Sequence, residues 1–236
     1  MTAPTVLLHR SGVVAIWKPP GLATQAPPGI ASVEQWLRGH LGKDAGGYVG
    51  VPHRLDRAVS GVVLLAATPR AARKLSRQFE RREVAKTYLA VVAPRPDAEG
   101  RDAVPHGQAV EWRDVLRKLP EEARSEIVAA AAAGGREAVT RVRRQPSAEA
   151  SASGLLLQLE PLTGRMHQLR LQASSRGLPI VGDTLYGGIP FGDGDERERP
   201  ILLHAWRIAY TDPDSGDRVE VEAAPPDFWP AWAWPR

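Results

Sequence analysis

Apolar positions follow two rhythms along this chain, and their alternation outlines a mixed architecture. Residues 6–8 and 13–17 are short β-rich runs separated by Ser11-Gly12, which predicts an opening hairpin. Lys18-Pro19-Pro20-Gly21-Leu22 and Pro27-Pro28-Gly29 then exclude regular structure and predict a rigid loop. From Ser32, a suitable N-cap, Val33, Trp36, Leu37 and Leu41 recur at helical spacing, with Gly42 as the stop. The continuous apolar run 62–67 reads as a buried strand. Thr68-Pro69 opens a second helix with Ala72, Leu75 and Phe79 on its apolar stripe, and residues 84–92 branch and alternate like a strand.

Beyond Pro94 the pattern loosens. Residues 111–133 read as a charged and then Ala-rich helical stretch ending at Gly134-Gly135, so that 111–135 forms a surface insertion. Strands follow at 137–142 and 155–160, with a Pro/Ser/Ala loop between them. Thr163 then caps a predicted helix that carries Arg165 in its first turn and is closed by Gly177. A cation there opposes the helix dipole by a few tenths to about 1 kcal/mol, which hints at a use other than stability. After a charged loop from Asp193 to Arg199, strands are expected at 201–210 and 219–222. The tail carrying Trp229, Trp232 and Trp234 is expected to cover a core edge.

The 236 residues suffice for a sizeable core, 43% of them being hydrophobic. Lys and Arg number 31 against 27 for Asp and Glu, a formal net charge of +4 that permits an anionic partner without demanding one. Many of the cations are arginines, which fork onto phosphate and stack on bases, so nucleic acid is the first partner to consider. Six of the cations, Arg70, Arg73, Lys74, Arg77, Arg81 and Arg82, share or adjoin the polar face of the second helix, where a solvated face and a phosphate-binding face are equally admissible. The chain has no cysteine, which excludes disulfides, thiolate nucleophiles and cysteine-based zinc sites. No apolar run is long enough to span a bilayer or serve as a signal-peptide core, and a cytoplasmic location is expected.

The chemistry concentrates in His53-Arg54-Leu55-Asp56-Arg57, directly before Ser60-Gly61 and the buried strand. In an extended segment Arg54 and Asp56 share one face while Leu55 anchors the other. A carboxyl between two guanidinium groups is favoured in its ionised form, which suits a nucleophile or base better than a proton donor. The same residues would also make a surface ion-pair cluster where a strand begins.

Three separated stretches resemble the RluA-type family of RNA pseudouridine synthases: His53-Arg54-Leu55-Asp56-Arg57 with Ser60-Gly61, Lys86-Thr87-Tyr88, and Thr163-Gly164-Arg165 with His167-Gln168-Leu169-Arg170. Lys18-Pro19-Pro20-Gly21-Leu22, Pro179-Ile180-Val181-Gly182-Asp183 with Tyr186-Gly187, and Leu203-His204-Ala205 match in order as well. The resemblance implies that a uridine within tRNA or ribosomal RNA is detached from its ribose at N1, turned, and rejoined through C5, without cofactor or metal. It assigns Asp56 the catalytic carboxylate, and Arg165 the cation that pairs with it. Tyr88 becomes the aromatic stacked on the target base, Arg54 the group filling the gap left by the flipped nucleotide, and Leu203 an apolar neighbour of the base. Ala58-Val59 and Met166 depart from the family's pattern. Extruding a stacked base costs a few kcal/mol, which planar groups such as Arg54 and Tyr88 can offset.

The expected fold is α+β: a mixed, mainly antiparallel sheet flanked by helices, in a single catalytic domain over 1–236. No separate N-terminal RNA-binding domain is expected, and a central cleft would be formed by the Arg-Asp loop, the Tyr88 strand and the start of the Arg165 helix. The sheet type rests partly on the resemblance, and a monomer is expected. Three rival readings are an RNA-binding relative without catalysis, a glycosidase pairing Asp56 with Asp183, and a metal enzyme built on His53, Asp56, His167 and His204.

Overall fold

A computed structural model describes residues 2–42, 47–95, 103–146, 154–192 and 199–234. The charged loop expected from Asp193 and most of the Pro/Ser/Ala loop after Gln145 lie outside these residues. The chain forms two compact units. The first comprises Met1–Lys86, Asp193–Pro200 and His204–Asp227; the second comprises Thr87–Gly192, Ile201–Leu203 and Phe228–Arg236.

In the first unit, β1 (Thr5–Arg10) and β2 (Val13–Lys18) make the expected hairpin, turning at Ser11-Gly12. β2 pairs antiparallel with β3 (Ser60–Ala66), from Val13 opposite Ala66 to Lys18 opposite Gly61. β3 in turn runs parallel to β9 (Leu203–Thr211) through Ser60 opposite His204 and Gly61 opposite Ala205, and β10 (Arg218–Glu222) adds antiparallel to β9. β3 is buried along its whole length, which is why it reads as a continuous apolar run rather than an alternating one. At its start only glycine fits: Gly61 has φ +117°, and a Cβ there would lie 2.2 Å from the Ala205 carbonyl oxygen.

Helices α1 (Val33–His40) and α2 (Pro69–Glu80) begin where their caps predict. The Ser32 and Thr68 hydroxyls accept the N–H groups of Gln35 and Ala71 at 3.2 Å each. α2 buries Ala71, Ala72 and Leu75 in a cluster with Val13, Leu64, Ile208 and Tyr210. Gln78 on the same face fastens the helix to β9, donating to the Thr211 carbonyl and accepting its N–H, both at 2.8 Å. That pairing satisfies a buried amide on both sides.

The second unit contains an all-antiparallel series in the order β4 (Ala85–Val92), β8 (Leu155–Pro161), β7 (Arg136–Arg144), β5 (Ala109–Lys118) and β6 (Ser125–Ile127). The helix expected over 111–133 is therefore absent, and strands stand in its place. Trp112 and Leu116 are buried while Glu111 and Arg113 point outward to half-exposed or exposed positions, so pairing with β7 overrides the helical propensity of the charged segment. The alanines of 129–133 lie in tight turns, closed by Ala132 N–H to Ala129 and Gly135 N–H to Ala132. Helix α3 (Gln168–Ser175) packs Leu169 and Ala173 inward. Of the terminal tryptophans, Trp229 is buried, and its indole N–H donates to the Ala233 carbonyl at 2.9 Å. The mixed, mainly antiparallel sheet with flanking helices agrees with the expected class.

His204 is fully buried beside the glycine contact. Its Nε2 lies 2.8 Å from the Ala223 carbonyl and its Nδ1 2.8 Å from the Ser60 hydroxyl, so a neutral ring donating at Nε2 satisfies both. Burial pushes its pKa down to about 4, against the Ala223 carbonyl, which favours the charged ring. The unfolded chain takes up this proton near pH 6.5 and the folded chain does not, so folded stability must drop as pH falls from about 6.5 toward 4. Urea unfolding of the wild type and of His204→Gln across that window checks this: the variant lacks a component of up to about 1.4 kcal/mol per pH unit.

Candidate active site

The segment carrying Asp56 is held from beneath by backbone groups. Leu55 is buried, and the Thr24 hydroxyl brackets it, accepting the Leu55 N–H at 3.1 Å and donating to its carbonyl at 2.9 Å. The Asp56 carbonyl accepts the Val59 N–H at 3.1 Å, which turns the chain toward β3. Arg54 is exposed and Asp56 half-buried while Leu55 points inward, the alternation an extended Arg-Leu-Asp segment requires.

Lys18 underlies this arrangement. It ends β2 at zero exposure, and its amine donates to the carbonyls of Pro19 at 2.9 Å, Leu22 at 2.7 Å and Arg57 at 3.1 Å. The Arg57 carbonyl also accepts the Gly21 N–H at 2.8 Å, and the Arg57 Nε returns a bond to the Gly21 carbonyl at 2.9 Å. The proline-glycine loop and the aspartate loop are thus tied by one buried amine and a reciprocal pair of bonds. Burial pushes the Lys18 pKa down to about 7; the Asp56 charge draws it back up, and Arg57 adds to the lowering. Sequence reasoning named Lys18 only as part of a motif. The signal was available, since a lysine closing an apolar strand must find partners.

His53 stacks on Phe79 of α2, with ring centroids 4.4 Å apart, and its Nε2 accepts the Leu64 N–H at 2.9 Å. Desolvation, with the Lys86 charge second, holds its pKa down at about 3. His53 is therefore a neutral brace, not a titrating group. His204 has both ring nitrogens occupied, and His167 Nδ1 lies 2.9 Å from the Tyr186 hydroxyl. Among the described residues no group of three or more His, Asp or Glu is placed to hold a metal, and ring nitrogens of all three histidines are engaged within the protein.

In the second unit, Arg165 lies on a turn before α3, not within the first helical turn, so the dipole conflict expected from sequence does not arise. The reason is Gln168. Its Oε1 accepts the Thr163 hydroxyl at 2.7 Å and the Arg165 N–H at 3.0 Å, while the Thr163 oxygen accepts the Val139 N–H at 2.9 Å. These bonds satisfy the segment without helix, and His167 takes a left-handed conformation at φ +54° to join it to α3. The Arg165 Nε donates to the Glu137 carbonyl at 2.9 Å. On the far side, the Ser125 hydroxyl donates to the Met166 carbonyl at 2.9 Å, and the Ser125 N–H to the Tyr186 hydroxyl at 3.0 Å. Ser125 and Gln168 were not legible as site residues, because their partners come from distant strands.

Arg170 makes a bidentate pair with buried Asp183, both bonds at 2.7 Å, and lies 5.2 Å from the centre of the Tyr186 ring. Both Asp183 oxygens are engaged by a guanidinium, so this carboxyl is structural and the glycosidase reading lacks its second acid. Tyr88 is half-buried on β4 opposite Leu159, and Leu203 is buried at the start of β9. Of the predicted site residues, Arg54 and Asp56 share one loop of the first unit, and Tyr88, Arg165 and Leu203 belong to the second.

A family model described as RNA pseudouridylate synthase matches residues 12–175. The chain is 34% identical over 200 residues to tRNA pseudouridine synthase C of Pectobacterium carotovorum, covering 81% of this chain but only 50% of the relative. With tRNA pseudouridine synthase C of Pasteurella multocida the identity is 32% over 226 residues, covering 88% and 89%. A ribosomal large subunit pseudouridine synthase C of Rickettsia felis is 30% identical over 238 residues, covering 97% and 70%. The solved structure of human RNA pseudouridylate synthase domain containing 4 superposes with a TM-score of 0.68 at 21% identity, over 95% of this chain and 89% of that one, a likeness of fold.

Two substitutions test how the Arg165 turn is held. Arg170→Met leaves the buried Asp183 charge unpaired and is expected to lower the unfolding free energy by about 3–5 kcal/mol in urea titrations. Ser125→Ala removes one bond to Met166 and is expected to cost only about 1–2 kcal/mol. Amide exchange in that variant should speed up locally at residues 165–168.

Proposed function

Because the chain belongs to the RluA-type family of RNA pseudouridylate synthases, we propose that it isomerises uridines within tRNA or ribosomal RNA to pseudouridine, with Asp56 as the catalytic carboxylate. The observation that carries this reading is a half-buried carboxylate on a loop whose backbone is fixed by Lys18 and Thr24. A group held that way loses little freedom on meeting a substrate, which is the requirement for a positioned nucleophile.

The reaction is an isomerisation and balances without a co-reactant. The bond from ribose C1′ to N1 breaks, a bond from C1′ to C5 forms, the C5 hydrogen leaves as a proton, and N1 acquires one. Asp56 engages the target nucleotide, and Arg165 is the cation that the family resemblance assigns as its partner. Tyr88 stacks on the extruded base, and the buried Leu203 gives the base an apolar border that helps keep water from the separated fragments. Arg54 takes the space vacated in the RNA. It is exposed and has no hydrogen-bond or ion-pair partner among the described residues, so its planar group is available for stacking.

The choice of tRNA or ribosomal RNA is supported by the relatives, two named for tRNA and one for the large ribosomal subunit. Release of tritium from C5-labelled uridine in RNA tests the assignment. The wild type should release label, and Asp56→Asn should do so at least about a thousandfold more slowly while still binding RNA. Equal release by the two proteins would remove Asp56 from its role.

A further inference from the structure

The polar face of α2 divides into cations that the protein uses and cations that it does not. Arg70 pairs with Asp214 at 3.0 Å, Lys74 donates to the Pro213 carbonyl, and Arg81 lies 3.9 Å from Glu83. Arg73 and Arg77 are exposed and make no hydrogen bond or ion pair with any described residue. They stand one helical turn apart, about 6 Å along the axis, on the same face. Glu80, one turn beyond Arg77, pairs with neither. Arg82 follows the helix in a left-handed conformation at φ +61°, exposed and likewise unpaired.

On the outward face of α2, the row from Arg73 to Arg77 runs toward the helix's C-terminal end. Phe79, near the end of α2, is the ring on which His53 stacks, and His53 directly precedes Arg54 and Asp56. Lys86 lies close enough for its charge to act on His53, and Arg82 close enough to act on Lys86. Lys86 is half-buried, and no described carboxylate pairs with it. Arg73, Arg77, Arg82, Lys86 and Arg54 therefore belong to one unit, none is paired with a described carboxylate, and the row on α2 leads to the helix end whose Phe79 meets His53, beside the candidate catalytic carboxylate. Their mutual repulsion is uncompensated by the protein. A regular polyanion would relieve it, and guanidinium forks suit phosphate oxygens.

We propose that Arg73, Arg77 and Arg82, with Lys86, form a track for the sugar-phosphate backbone of the RNA strand leading away from the nucleotide bound at Asp56. The proposal rests on the pseudouridine synthase reading only in placing a target nucleotide there. It separates bound from idle cations on one helix, which charge counting cannot do.

The test compares two double variants of the full chain, Arg73→Ala with Arg77→Ala and Arg70→Ala with Arg81→Ala, each removing two positive charges from α2. Affinity for bulk tRNA from cells lacking the protein is measured between low and moderate salt, alongside KM and kcat for tritium release. Exposed arginine-to-alanine changes should leave thermal stability nearly unaltered. The first variant should bind about 10- to 100-fold more weakly at low salt, with the slope of log affinity against log salt reduced by about 2, and with KM raised at constant kcat. The second should retain affinity within about threefold, since its cations already have protein partners. Wild-type affinity and slope in the first variant, or equal losses in both, would overturn the track. If the wild type released no tritium, the enzymatic assignment would fall, while the binding comparison would still decide the track by itself.

Discussion

The arrangement around Asp56 depends on one buried amine. Lys18 sits where β2 ends and has no contact with solvent, so its hydrogens must be used internally, and the carbonyls of Pro19, Leu22 and Arg57 are what the chain supplies. The cost of burying an ammonium is visible in its pKa, brought down to about 7 by desolvation. Donating to three carbonyls nevertheless takes the ammonium form, which the Asp56 charge also favours. What the protein gains is rigidity: two loops far apart in sequence share one anchor, and neither can shift without leaving polar groups unsatisfied. The proline-glycine loop is thus part of the apparatus that fixes the aspartate.

Around that anchor the polar chemistry of the chain sorts into two kinds. One is closed on itself. Arg170 and Asp183 satisfy each other, Gln168 takes up Thr163 and the Arg165 N–H, Gln78 pairs with Thr211, and the neutral ring of His204 bridges Ser60 and Ala223. Such groups are engaged with one another and set geometry. The other kind is open, as with Arg54, Arg73, Arg77 and Arg82, which are exposed and pair with no described residue. A net charge of +4 would not by itself reveal a nucleic-acid partner. The uneven distribution of satisfied and unsatisfied cations is more informative, because only the latter can exchange water and counterions for phosphate.

What could be read from the sequence was whatever short-range physics determines. The hairpin at Ser11-Gly12, the caps Ser32 and Thr68, the buried run of β3 and the alternation at Arg54, Leu55 and Asp56 all follow from neighbours within a few residues. The misreadings occur where distant partners intervene. Residues 111–133 have helix-forming composition, yet Trp112 and Leu116 are buried through pairing with β7, some 20 residues on. Thr163 has the form of an N-cap, but its hydroxyl is committed to Val139 and Gln168, and the helix starts five residues later. The motif residues themselves were visible, because an ordered set of short motifs survives where global similarity is modest. The bracing done by Lys18 and Gln168 was not, although both stand within those motifs, and Ser125 lies outside them altogether.

Glycine 61 shows why the anchor and the core cannot be separated. Its position opposite Lys18 on β2 and opposite Ala205 on β9 makes it the crossing point of an antiparallel and a parallel pairing. Any side chain there would collide with the Ala205 backbone, so β9 could not approach and His204 could not reach the Ser60 hydroxyl. The strand that carries the aspartate loop into the core would then lose its parallel neighbour at the residue opposite Lys18. The Ser-Gly pair after the Arg-Leu-Asp motif is therefore more than turn chemistry: serine holds the histidine and glycine admits the strand. Together they convert a flexible loop end into a fixed point from which the position of Asp56 is measured.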